Sequence, residues 1–347
     1  MGMKQENRHR RPKARQAKVQ MRDVARMAGV SAQTVSRYFR TPDTISPENR
    51  NRIAKAVAET GYFPNPAASS LSANRTNLVG VIVPTIDHSI FSELVAGLTS
   101  ALESENHMLL IAHNGFSLEK EQQLVERFLA YKVSGIALVG QLHSEKTRQL
   151  LVNSGTPTVE LLECAADPID MAVGVSNFSA SYEVTTGLIR RGRRDIGFIS
   201  ALPEGNDRVQ QRLAGYIAAI RDAGLPFSQD RIAHADFAIE NGARAFEALH
   251  AQVPTLDAVV SNDILGLGVQ VQCRRMGLSV PGDISITGFD NLELASILET
   301  RLTTIQMDSR AMGLAAGKKL IARQSGAPDS APVVNFPYEI LWRETTP

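Results

Sequence analysis

The spacing of apolar residues changes along the chain, and the changes divide it. Val24, Ala25 and Ala28 recur at helical spacing, Gly29 follows where a left-handed residue ends a helix, and Val30 packs the turn before Ser31 opens a second helix. In that second helix Val35, Tyr38 and Phe39 stand at i, i+3 and i+4 and can face inward, which leaves Gln33, Ser36, Arg37 and Arg40 outside. A third helix starts at "SPEN", with Ser46 as N-cap and Pro47 at its first position, buries Ile53 and Val57, and ends at Gly61. The pattern predicts an all-α headpiece over 19–63 built on a helix-turn-helix. Residues 64–76 follow as a hinge or linker, in which Asn65 caps and Pro66 starts an Ala/Ser segment with Leu71 as its only large apolar residue. Such a segment is too short to be a stable helix alone. Two readings of it stand: a flexible linker, or a helix that folds against a minor groove with Leu71 as a wedge between base steps.

From residue 78 the pattern becomes one of short runs rich in Val, Ile and Leu alternating with amphipathic helices. "LVGVIVP", "MLLIAHN", "GIALVG", "TVELLE" and "MAVGVSN" form one series; a second runs from "DIGFIS" through the helix "DRVQQRLAGYIAAIRDAG" to "DAVVSND" and "DISITGFD". Continuous apolar runs of this length mark parallel strands covered on both faces, and 77–347 is long enough for two doubly wound parallel-sheet subdomains. Ligands in such sheets bind beyond the carboxyl ends of the strands, so two facing subdomains place one small-molecule cleft between them, with hinge closure as the natural motion. The residues at those ends are Thr85 and Phe91, His113, Gln141, Asn177, Asn262 with Asp263, and Asp290. With Arg212 they supply donors, acceptors, a cation and an aromatic wall, a mixture that suits a polyol or a sugar acid.

Composition adds a division of charge. The 347 residues are 43% hydrophobic and 21% charged, as in a globular protein of more than one domain. The net charge of +1 is the sum of a basic head, 15 Lys and Arg against 5 Asp and Glu in 1–76, and an acidic remainder, 22 against 31. A polyanion is the partner expected for the head alone. The arm of 1–18, with seven basic residues and Glu6 alone against them, also fits a basic disordered tail. On the helix after Gly29, Gln33 and Arg37 are side chains that make bidentate contacts to adenine and guanine edges, while Thr34 and Ser36 can bind phosphates, so this face suits the major groove of double-stranded DNA.

Other chemistry is not encouraged. The longest apolar runs are far short of a bilayer span, and the basic N-terminus lacks the apolar stretch of a secretory signal; a cytoplasmic protein without membrane contact is expected. Cys164 and Cys273 have no disulfide or zinc spacing and are read as buried thiols. "GLGVQV" at 266–271 is too fragmentary for a dinucleotide site, no P-loop, HExxH or GxSxG occurs, and the seven histidines never stand at i, i+4. Neither an enzyme nor a cofactor or metal is expected. A secreted sugar-binding protein shares the two-lobed core but would have no use for Gln33, Arg37 and Leu71.

"DVARMAGVSAQTVSRYF" followed by "GYFPNPAASSLSANRTNLVGVIVP" resembles the headpiece, hinge and first core strand of the LacI/GalR family of bacterial transcription regulators, and the resemblance extends over essentially all the chain after the basic arm. "GFSLEKEQQLVERFLAYKVSGIALVG" and "VGVSNFSASYEVTTGLIRRGRRDIGFI" are similar to the gluconate-operon repressor branch. The resemblance implies a homodimer with a periplasmic-binding-protein-like core, on operator DNA. It implies base reading by Ala32, Gln33 and Arg37 after the cap Ser31, backbone contacts by Tyr62 and Asn65, and minor-groove contacts by Ala68 and Leu71. In the core it implies a ligand-binding Arg212, with Asn262, Asp263 and Asp290 at hydroxyl-binding positions. Gln20, where relatives often carry Thr or Ser, Pro66 in the hinge, and Ser176, where many carry Asp, depart from the pattern.

Overall fold

The computed structural model describes residues 19–63, 76–164, 167–326 and 331–347. The basic arm and most of the hinge, including Asn65, Pro66, Ala68 and Leu71, lie outside these residues. The chain divides into two compact units, Met1–Asn74 and Arg75–Pro347.

In the first unit, α1 (Met21–Ala28), α2 (Ala32–Arg40) and α3 (Pro47–Thr60) enclose Val24, Ala25, Ala28, Val35, Ile53 and Ala56. Val57 is half-buried against this cluster together with Tyr38, Phe39 and Tyr62. Each helix start has its own device. Gln20 occupies the N-cap of α1, and the Asp23 carboxylate accepts the Gln20 N–H at 3.0 Å, a bond that holds Asp23 below the usual carboxylate range. Ser31 Oγ accepts the Thr34 N–H at 3.1 Å and Ser46 Oγ the Asn49 N–H at 3.5 Å. The turn between α1 and α2 closes on Gly29 at φ +64°, with the Val30 N–H donating to Ala25 O at 3.0 Å.

The second unit has two lobes. In lobe one, β1 (Leu78–Val83), β2 (Met108–His113), β3 (Gly135–Val139), β4 (Thr158–Leu161) and β5 (Met171–Gly174) alternate with α4 (Ser89–Glu103), α5 (Leu118–Ala130) and α6 (Glu145–Ser154). In lobe two, β6 (Ile196–Ser200), β7 (Ile232–His234), β8 (Ala258–Ser261) and β9 (Ser285–Thr287) are joined through α8 (Asp207–Asp222), α9 (Ile239–Gln252) and α10 (Asp263–Met276), with α7 (Asn177–Arg190) leading into β6. A short α11 (Glu293–Ile297) and β10 (Thr304–Met307) follow, then α12 (Ser309–Gln324), β11 (Val333–Asn335) and β12 (Tyr338–Leu341). The first sheet has the order β11-β5-β4-β3-β1-β2 and the second β7-β6-β8-β9; every pairing in both is parallel. Both faces are covered, as the continuous apolar runs require: along β3, Ile136 and Leu138 join one core cluster and Ala137 and Val139 another.

The chain passes between the lobes more than once. It enters lobe two after β5, returns after β10 so that α12 packs on α4 and β11 completes the first sheet, and crosses again to pair β12 antiparallel with β10. The helix pairs are close. A Cβ on Gly97 would lie 2.0 Å from the Arg310 carbonyl oxygen and one on Gly313 2.0 Å from that of Leu94, so α4 and α12 touch backbone to backbone. Gly268 brings α10 equally near Ile239 O on α9, at 2.1 Å. Cys273 is buried, whereas Cys164 is only half-buried, its thiol donating to Val334 O at 3.4 Å.

Candidate functional site

The exposed face of α2 follows from its inner one. Val35 is fully buried and Tyr38 and Phe39 pack edge to face, with ring centroids 5.1 Å apart, so the helix is fixed in rotation and presents Ala32, Gln33, Arg37 and Arg40 outward. Ser36 and Thr34 lie half-buried beside them, and the Thr34 hydroxyl is bonded to that of Ser31 at 2.8 Å. Ser31 and Thr34 therefore serve first as the helix cap. Tyr62 is half-buried, its ring 6.0 Å from that of Phe39.

In the core, a cleft opens beyond the carboxyl ends of the strands, with walls from both lobes. Its polar centre is Arg212, which projects from α8. Arg212 Nε donates to Asn177 Oδ1 at 2.8 Å, its guanidinium lies 3.4 Å over the Phe289 ring, and a terminal nitrogen stands 3.6 Å from Asp290 Oδ1. Burial lowers the pKa of this guanidinium, and the charge of Asp290 opposes the shift. Asn177 is fully buried and donates to Leu162 O and to Glu163 Oε2, both at 2.9 Å, so a continuous hydrogen-bonded chain runs from lobe one through Asn177 to Arg212. Burial pushes the Glu163 carboxyl up to about 7, against the bond it accepts from the Cys164 N–H.

Asp290 stands at φ +102°, a left-handed conformation rare outside glycine, and borders the cleft. The loop that carries it is braced by Asp263, which is fully buried and accepts from the Leu292 N–H at 2.6 Å and from Thr304 Oγ1 at 2.5 Å. Burial also lifts Asp263 to about 7. Asn262 lines the cleft while its Oδ1 caps α10 by accepting the Leu265 N–H at 3.0 Å.

Of the residues expected in this cleft, Phe91, Arg212, Asn262 and Asp290 are on its wall, and Asn177 and Asp263 are one layer behind. Three are elsewhere, which corrects their expected placement. Thr85 closes a local turn by accepting the Asp87 N–H at 3.1 Å; His113 is exposed at the end of the edge strand β2; Gln141 is tied through its backbone N–H to Asp207. Strand-end position was the whole warrant for these three, and it does not say which way a side chain points. Ser176 caps α7 by accepting the Ser179 N–H at 3.1 Å.

The cleft also contains residues that strand ends did not suggest. Arg208, one turn before Arg212 on α8, shares its wall, and the i, i+4 spacing of the two was visible in the sequence. His88 and Phe237 meet edge to face across the two lobes at 5.1 Å, and Phe116 lies 6.5 Å from Phe237. Phe237 follows the three-residue β7, which has too few positions to show a period. Elsewhere in lobe one, His143 is buried between Glu121 Oε1 at 2.7 Å and Glu160 Oε1 at 3.2 Å. Among the described residues no helix is long and apolar enough to cross a membrane, and no cluster of side chains suits a metal ion.

Comparisons with known proteins place this geometry. The family "Bacterial regulatory proteins, lacI family" matches residues 20–65, and a periplasmic binding protein-like domain matches 185–346. The HTH-type transcriptional regulator GntR of Escherichia coli (strain K12) is 33% identical over 308 residues, 88% of this chain and 92% of its own length. The HTH-type transcriptional repressor CytR of the same organism is 31% identical over 316 residues, 88% of this chain and 90% of its own. A LacI-family transcriptional regulator from Silicibacter pomeroyi has a similar structure, with a TM-score of 0.87 at 28% identity, covering 94% of this chain and 99% of its own.

Proposed function

Because this chain belongs to the LacI family of bacterial regulatory proteins, and is a DNA-binding transcriptional regulator, we propose that it represses an operon for sugar-acid catabolism and is released by a sugar acid such as gluconate or a ketogluconate. Two headpieces of a homodimer bind a pseudo-palindromic operator. Gln33 and Arg37, with Ala32 beside them, meet base edges; Ser31, Thr34, Ser36, Tyr62 and Asn65 meet the backbone; Ala68 and Leu71 meet the minor groove. The rotation of α2, fixed by buried Val35, supports the base-reading part.

The observation that carries the effector reading is the pair Arg208 and Arg212 on the wall of a cleft whose lining has Asp290 as its one carboxylate. A carboxylate ligand finds a guanidinium there, and Asn262 and Asp290 are placed for hydroxyls. The aromatic side of the same wall, His88, Phe91, Phe116 and Phe237, favours a second reading in which the effector is a neutral sugar stacked by its ring. A thermal-shift panel of sugars and sugar acids on the full chain separates them, since a ligand of the folded state raises its melting temperature. Shifts confined to acids support the proposal; shifts with neutral sugars alone retain the regulator and discard the acid. By linkage the effector weakens operator affinity by the factor that operator weakens effector affinity, typically ~1–3 kcal/mol.

A further inference from the structure

The cleft carries more positive charge than one carboxylate ligand requires. Arg208 and Arg212 stand one turn apart on α8, so their side chains rise from the same face. Arg212 already has partners in Asn177, Phe289 and Asp290. Arg208 differs. Its side chain is 8% exposed and its guanidinium donates no hydrogen bond to any described residue; it has only a loose ion pair with Asp207 at 3.7 Å and the Phe91 ring at 6.0 Å. The Asp207 oxygens are themselves taken by the backbone N–H groups of Gln141 at 2.5 Å and of Arg208 at 2.9 Å. The guanidinium lies on the cleft wall without a hydrogen-bond acceptor, so anionic oxygens of a ligand can take that place.

Arg208 also lines a second, smaller chamber that shares Phe116 with the main cleft. The acidic groups of that chamber do not offset Arg208 by hydrogen bonding: Glu121 is paired with His143 at 2.7 Å, and Asp207 is held as above. Glu163, which also feels the Arg208 charge, is bonded to Asn177 and to the Cys164 N–H.

We infer that Arg208 is a second anion-binding centre and that the effector is a polyol acid with two acidic groups, one on Arg212 and another on Arg208. The inference rests on the sugar-acid reading of this cleft and sharpens it. The second group is a carboxyl or a phosphoryl, and both present the oxygens a guanidinium fork binds.

Calorimetric titration of the full chain with gluconate, glucarate and 6-phosphogluconate tests this. At least one of the two doubly acidic ligands is expected to bind about tenfold or more tightly than gluconate, the scale of one charge-assisted hydrogen bond. Preference for glucarate identifies a carboxyl, and preference for 6-phosphogluconate a phosphoryl group. Arg208→Gln should reduce that preference to near unity, with a larger loss for the doubly acidic ligand than for gluconate, and Arg208→Lys should restore part of it; the melting temperature without ligand reports whether each variant folds. Gluconate binding as tightly as both doubly acidic ligands, or a preference unchanged in both variants, overturns the inference and leaves the sugar-acid reading intact. Binding of neutral sugars alone overturns both.

Discussion

His143 shows at the level of one side chain how pairing can reverse the effect of burial. Burial alone would lower its pKa; the bond to Glu121 and the adjacent Glu160 carboxylate outweigh that and raise it to about 9. The folded value lies above the ordinary ~6.5 of an unfolded chain, so the stabilisation is complete below that pH and is lost as pH rises through about 9. His143→Gln leaves two buried carboxylates without their cation and should cost ~3–5 kcal/mol near neutral pH. Urea denaturation at several pH values checks both parts: the variant should lose the alkaline decline, and an unchanged midpoint would mean that Glu121 and Glu160 are compensated elsewhere. In the headpiece, Arg37→Ala should cost ~1–3 kcal/mol of operator affinity and relax preference at one base pair, read by competition with base-substituted operators. Equal loss on every sequence would make Arg37 a phosphate anchor instead. Some of this chemistry was legible residue by residue. The inner triplet Val35, Tyr38 and Phe39 dictated which residues of α2 face out. His143 carried no signal, because its partners lie 22 and 17 residues away along the chain, on α5 and β4.

The helices owe their close approach to glycines. An added methyl at Gly313 would meet the Leu94 carbonyl of α4, a backbone atom that cannot step aside alone, so Gly313→Ala should destabilise the core by ~1–3 kcal/mol. Gly266 on α10 is the control. A Cβ there would find its nearest neighbour, a Leu302 methyl, at 3.4 Å, and Gly266→Ala should be neutral or slightly stabilising through helix propensity. Melting temperatures of the two variants decide the matter; equal losses would remove backbone contact as the reason for Gly313. Long apolar runs such as Leu78–Val83 were legible as strands because they are buried along nearly their whole length. The elements after β9 were not, since β11 has only three residues, half-buried or exposed, and α12 is a helix of small residues between Met312 and Leu320 without a broad apolar stripe.

At the scale of the whole core, the lobes meet through Asp207, whose carboxylate at the start of α8 accepts the Gln141 N–H of lobe one at 2.5 Å. Asp207→Ala removes this contact and should weaken effector binding by about tenfold, the value of one charged hydrogen bond, with an increased radius of gyration in X-ray scattering. Unchanged affinity and radius would show that the aromatic contact between His88 and Phe237 suffices to hold the lobes. The sequence showed two series of strands; it could not show that α12 and β11 return to the first lobe, because no local spacing encodes a return across nearly 160 residues. That return has a consequence for inheritance. The headpiece is one uninterrupted stretch of gene ending near residue 74, so a single recombination event can exchange the operator being read. Lobe one is written in two separate stretches, before α7 and after β10, so no single event can exchange it between paralogues without leaving α12 and β11 on a foreign sheet.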